Sequence, residues 1–145
     1  MTAGEALDRI RQRIVDVDKE EFPDAELIQY LNAAIDQKAD ILVKERNSNM
    51  TKRLMVVYGT DVPADFIAWA GEVPAERRGG KFYPAKPGYY LYFARPDQMI
   101  SLNDSLPWNG LYDHFLIQVA SLHAKRRQHY DVGQDAALAN AGVGQ

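Results

Sequence analysis

Apolar residues recur at steps of three and four in three stretches of this chain, and the rhythm fails between them. Over 3–17, Leu7, Ile10, Ile14 and Val17 line one helical face, while Asp8, Arg9, Arg11, Arg13 and Asp16 fill the others. Thr2 and Glu5 stand at capping-box spacing, so hydroxyl and carboxylate can each take a free amide. The charged run DVDKEE (16–21) leads to a turn, and FPDAELIQYLNAAI (22–35) opens a second helix over 24–46. Pro23 suits a first turn because it has no amide hydrogen to lose there. Asp24 and Glu26 put negative charge at the positive end of the helix dipole, and Phe22 can fold back as a hydrophobic staple. Leu27, Leu31, Ala34, Ile35 and Leu42 form its buried stripe, and Asn47-Ser48-Asn49 stops it. The third helix covers 106–130, with Leu111, Phe115, Val119 and Leu122 as its stripe and Leu116, Ile117 and Ala120 widening it. KRRQH (125–129) places positive charge at its negative end. Beyond it, a flexible C-terminal tail (132–145) has room for a short Ala-rich helix at 134–141.

Residues 50–102 carry strand and turn signals instead. LMVVY (54–58) reads as a strand, with a helical turn as the alternative. VPADFIAWA (62–70) reads as a short helix or turn, and VPAERRGGK (73–81) as a loop. YYLYF (89–93) is a strand that MISL (99–102) can pair with across ARPDQ; Pro84 and Pro87 confine the segment before it to an edge. Alternation puts Tyr89, Leu91 and Phe93 on one face, with Phe93 in the core. Tyr90 and Tyr92 take the other face, a candidate subunit contact because tyrosine is favoured at interfaces. The expected fold class is α+β, mainly α: a bundle of three long helices (about 3–17, 24–46 and 106–130) with a small antiparallel β element in 54–102. It is expected to be a single domain, with a helical core at 1–47 and 105–131 and a β/loop insertion at 50–102.

Composition narrows the chemistry. An apolar fraction of 46% over 145 residues is enough for a packed core. The absence of cysteine rules out disulfides, thiolate catalysis and Cys-based zinc sites. The N-terminus has no continuous apolar run of the kind a signal peptide or membrane span needs. The net charge of −3 disfavours a protein that coats nucleic acid. It is uneven, with 11 acidic and 7 basic residues in 1–50 but 5 acidic and 7 basic in 51–102, which suits subunits meeting through complementary patches.

His114, His123 and His129 are not spaced to share a helix face as zinc ligands. RRGGK (77–81) departs from a phosphate-binding loop at two points: Ala75 stands where the first glycine belongs, and Phe82 where a hydroxyl belongs. What remains is a basic loop able to meet a phosphate backbone or an acidic partner. No serine lies in a nucleophile elbow, and no nucleophile–base pair is evident. The expectation is no enzyme, no catalytic residue, no cofactor and no metal.

Taken in order, these features resemble the head–tail adaptor (connector) proteins of tailed bacteriophages. ALDRIRQRIVDVDKEEFPDAELIQYLNAAIDQ is similar to that family's opening helix, charged turn and Leu-Asn helix, with Phe22, Asp24, Glu26, Leu27, Leu31 and Asn32 carrying the match. Phe22 stands where the family usually has Trp, and Pro23 where it has a Ser cap. YGTDVPADFI (58–67) and SLPWNGLYDHFLIQVASLHAKRR (105–127) resemble later segments of the family. The resemblance implies a virion structural protein at the head–tail junction, made in the host cytoplasm. Such proteins form a ring, dodecameric by analogy, under the portal protein. The ring extends the DNA channel without binding DNA specifically and receives the tail or next connector. By the same analogy Arg126, Arg127 and Tyr130 are portal-contact candidates, and Arg77, Arg78 and Lys81 face a neighbour or the tail. The alternative is a small nucleic-acid-binding or regulatory domain using 77–86 and 125–127.

Overall fold

The computed structural model describes residues 1–16 and 21–143, with 130–143 as backbone only. Its elements are α1 (Ala3–Ile14), α2 (Asp24–Lys44), β1 (Thr51–Val56), β2 (Thr60–Asp61), β3 (Phe66–Trp69), β4 (Ala75–Arg78), β5 (Lys81–Pro84), β6 (Gly88–Ala94) and α3 (Asp113–Val143). They fall into two compact units: Met1–Ile35 with Gln98–Gln145, and Asp36–Asp97. The division passes through α2.

In the helical unit the capping box forms as the sequence requires. The Glu5 amide donates to the Thr2 hydroxyl at 3.2 Å, and the Glu5 carboxylate reaches back to Thr2. Ala6, Leu7, Ile10 and Ile14 are buried against Leu27, Leu31, Ala34, Ile35, Leu116, Ile117, Ala120 and Ala124. The segment 98–106 seals the start of α1. The amides of Ala3 and Gly4 donate to the carbonyls of Asp104 and Leu102, both at 2.8 Å, and satisfy donors that a helix start leaves free. Asn32 clamps the same segment from α2: its Oδ1 accepts from the Met99 amide at 2.7 Å and its Nδ2 donates to the Met99 carbonyl at 3.0 Å.

The turn between α1 and α2 closes on one side chain that the periodicity assigned to water. Arg11 is 2% exposed. Its Nη1 donates to Asp16 Oδ2 at 2.8 Å and to the Phe22 carbonyl at 2.7 Å, and its Nη2 donates to Asp24 Oδ1 at 2.6 Å. Asp16 in turn accepts from the Glu21 and Phe22 amides, each at 3.0 Å. A guanidinium can serve three acceptors at once because its donors form a rigid planar fork. Phe22 sits fully buried beside this network, edge-on to Tyr30 at 6.4 Å.

The third helix differs from its expected course. It begins at Asp113, after a tight turn at Trp108–Gly110, and runs to Val143 through the segment read as a tail. Its stripe is also rotated. Leu111 is 62% and Leu122 46% exposed, whereas Leu116, Ile117, Ala120 and Ala124 are buried. Ala120 and Ala124 share the buried cluster of Ala6, Leu7 and Ile10, so small side chains of α3, not Leu122, face the core.

The bundle with a small β element is overturned in the β unit, which holds two three-stranded antiparallel sheets of orders β1-β6-β3 and β2-β5-β4. Residues 62–70 contribute strand β3, not a helix. Residues 73–81 contribute β4 and the turn of a β4–β5 hairpin, not a loop. Gly79 and Gly80 both take positive φ, 57° and 76°, which a two-residue hairpin turn following the strand twist demands. β5 lies in the middle of its sheet, not at an edge. Pro84 fits there because it ends the strand, opposite Ala75. Residues 99–102 are no strand, and the partners of β6 are β1 and β3. β4 pairs on one side only and leaves Glu76, Arg77 and Arg78 exposed along an outer edge.

An aromatic cluster forms the core of this unit. Phe66 lies 5.1 Å from Trp69, 5.2 Å from Phe82 and 5.6 Å from Tyr92, and Trp69 lies 4.8 Å from Phe82. Phe82 reaches it from β5, while Phe66, Trp69 and Tyr92 come from the other sheet. The faces of β6 are therefore reversed from the expectation for the tyrosines. Tyr92 is buried, and Tyr89 and Leu91 face outward at 59% and 51% exposure. Phe93 is buried as expected, beside the register shift between Phe66 and Ala68.

Candidate interaction surfaces

The outward face of the β1-β6-β3 sheet is built by strand alternation. Arg53 pairs with Leu91 and Met55 with Tyr89, so these four side chains share one face. Met55 is 46% exposed, and the Arg53 guanidinium lies 4.0 Å over the Tyr89 ring. That contact orders both groups and leaves an exposed surface, part aromatic and part aliphatic. Alternation along TKRLMV could have found Arg53 and Met55 from sequence. It could not have said that β1 pairs with β6.

The basic cluster Arg77, Arg78 and Lys81 is split by the same period of two. Arg78 and Lys81 lie opposite each other across the hairpin turn, and Arg77 lies opposite Phe82. Arg77 covers the rim of the aromatic core, 5.8 Å over Phe66. Arg78 packs 4.5 Å over Tyr83 and lies 3.5 Å from Glu76, while Lys81 is 3.1 Å from Asp61. Tyr83 continues this outer stack to Tyr58 at 4.6 Å, and Tyr58 is 73% exposed.

A polar triad anchors the start of β3. Lys52 Nζ donates to Asp65 Oδ2 at 2.7 Å, and the Tyr92 hydroxyl donates to Asp65 Oδ1 at 3.0 Å. Partial burial pushes the Asp65 carboxyl up, but the hydrogen bonds from Lys52 and Tyr92 outweigh it, and its pKa lies below the usual carboxylate value. The bond to Asp65 raises Lys52, and burial followed by the bond to Asp65 raises Tyr92. Each shift moves its group away from titration near neutrality, which suits a clamp rather than a proton shuttle.

In the helical unit, Arg126 is exposed on α3, while Arg127 is engaged with α2. Arg127 Nη1 forms an ion pair with Glu26, and its guanidinium lies 4.4 Å over the Phe22 ring. The Tyr130 side chain lies outside the described residues. Arg126 and Arg127 belong to the helical unit, and Arg77, Arg78 and Lys81 to the β unit. His123 stacks on Tyr30 at 6.0 Å, and His114 Nδ1 lies 3.5 Å from Arg13. Burial, and then the bond to Glu26, raise the Tyr30 pKa. Among the described residues no group of His, Asp and Glu is placed to hold a metal ion, and no helix is long and apolar enough to cross a membrane.

Comparison with protein-family models, characterised proteins and solved structures finds no match to this chain.

Proposed function

We propose that this chain is a virion structural protein, a head–tail adaptor that assembles as a ring of copies between portal and tail. The observation that carries the proposal is the open face of Arg53, Met55, Tyr89 and Leu91. An exposed patch rich in Tyr, Met and Arg has the composition of a protein interface core. Charge supports a second copy as its occupant. Residues 36–97 hold 10 basic and 8 acidic groups, net +2, and the remainder holds 7 and 12, net −5. A β unit meeting the helical unit of the next copy makes a head-to-tail contact, which forms a ring when the rotation between copies closes. The resemblance of residues 6–37 to the opening module of phage adaptors supplies the biological setting.

Electron microscopy and sedimentation of the purified chain, alone and with the portal of its own phage, test this. Rings are expected, and Leu91→Glu should abolish them while leaving the thermal midpoint within about 2 °C, because the position is exposed. A chain that stays monomeric with its portal and instead binds DNA in a salt-sensitive manner would replace this reading with the regulatory one.

A further inference from the structure

A cleft of about 380 Å³ lies where α1 ends against α3, lined by Arg13, Ile14, Val15, Lys125, Gln128 and His129. Lys125 and His129 are one helical turn apart and share a face of α3. Among the described residues neither Arg13 nor Lys125 has a carboxylate within ion-pair distance. The Glu21 carboxylate accepts from Gln128 Nε2 at 3.0 Å, and the same amide donates to the Ile14 carbonyl at 3.3 Å. Gln128 thus braces the floor, and three cationic or hydrogen-donating side chains surround it.

Val15 adds a second, independent feature. It takes the left-handed conformation, φ 59° and ψ 46°, at the C-cap of α1. Glycine or asparagine normally occupies that position, because a β-branched side chain clashes there. The isopropyl group is nevertheless presented to solvent at 86% exposure. That turn caps α1, returning the Asp16 amide to the Arg11 carbonyl at 2.9 Å and the Asp16 carboxylate to the Arg11 guanidinium at 2.8 Å, and it leaves the isopropyl group bare. What the cleft gains from it is an exposed apolar group beside its cations.

We infer that this cleft binds an acidic segment of a partner protein, with a carboxylate against Arg13, Lys125 and His129 and a neighbouring apolar side chain against Val15. A nucleic acid fits less well. The surrounding helical unit is net −5 and repels a polyanion, whereas a short segment brings only one or two charges. The apolar contact at Val15 also has no counterpart on a phosphate backbone. The site does not depend on ring formation and would persist in a chain that never assembled.

The experiment follows backbone amides of the isotopically labelled full chain by NMR during titration with acetyl-Glu-Asp-Leu-Phe-amide. Controls are acetyl-Gln-Asn-Leu-Phe-amide, acetyl-Glu-Asp-Gly-Gly-amide and an oligothymidylate. The first peptide should shift Ile14, Val15, Lys125 and Gln128, and each control peptide should bind at least several-fold more weakly. Lys125→Glu should weaken binding about tenfold. Val15→Gly should also weaken it several-fold while leaving the thermal midpoint equal or higher, since glycine relieves the backbone strain. The cations also complement the negative end of α1, and a purely structural role would lower the midpoint of Lys125→Glu without a peptide effect. The inference is overturned by unshifted amides at these positions at millimolar peptide, by a neutral control that binds equally, by full affinity in Val15→Gly, or by oligothymidylate competing at equal concentration.

Discussion

The helical unit and the β unit solve the same problem with different materials. In the first, aliphatic residues at helical spacing bury one another, and a single guanidinium closes the connection between helices. In the second, four aromatic rings from strands far apart in sequence meet between two small sheets. Aliphatic helix packing is local and redundant, so the loss of one side chain leaves many neighbours in place. A core of a few large rings concentrates its burial in a few residues, and each matters more.

Removing one large side chain from each core should separate the two units most clearly. Phe82→Ala should cost about 4 kcal/mol and Leu31→Ala about 3 kcal/mol. Hydrogen exchange is the measurement: Phe82→Ala should release amides of β1 and β6 while those of α1 keep their protection. Equal loss in both units would mean that they unfold as one, and the contrast would fall. Next comes Arg11→Met, which leaves Asp16 buried at 5% exposure without its cation. A loss of about 3 kcal/mol is expected in denaturant unfolding, because removing one member of a buried pair strands the other. Arg11→Lys should recover only part of it, since an ammonium lacks the planar fork.

The smallest expected effect is the pH dependence that the Asp65 triad gives the β unit. Asp65 has a lowered pKa, so its stabilisation is complete above the ordinary carboxylate value and is lost as pH falls below about 4. Lys52 and Tyr92 have raised values, so theirs is complete below the ordinary lysine and tyrosine values and is lost as pH rises beyond about 10. Thermal melts of Asp65→Asn should therefore lose part of the acid-side slope and match the parent in shape near neutrality.

The same contrast explains what could be read from residues alone. Thr2, Glu5, Pro23, Leu27 and Leu31 announce their helices through local rules that the fold keeps. In α3 the period was readable but its phase was not, because Ala120 and Ala124 look less committed to a core than Leu111 and Leu122. In the β unit, β4 is Ala-Glu-Arg-Arg, charged and exposed, and nothing in its composition speaks for a strand except the Gly-Gly turn that follows. β3 is half-buried along its whole length and shows no alternation. Arg11 and Asp16 read as wet because charge is their only local signal, and their burial is compensated by partners five to thirteen residues away. The outward face of β6 needed a register, which no single strand carries. Val15 reads as ordinary until its backbone angle is known.

The unpaired side of β4 has a consequence for how this chain can accumulate. A bare strand edge invites an identical edge from another molecule, and that pairing has no natural end point. Here every approaching copy would set Glu-Arg-Arg against a like sequence, with the two arginines repelling their counterparts wherever the register brings them together. Charge along the bare edge thus discourages strand-to-strand addition of further copies.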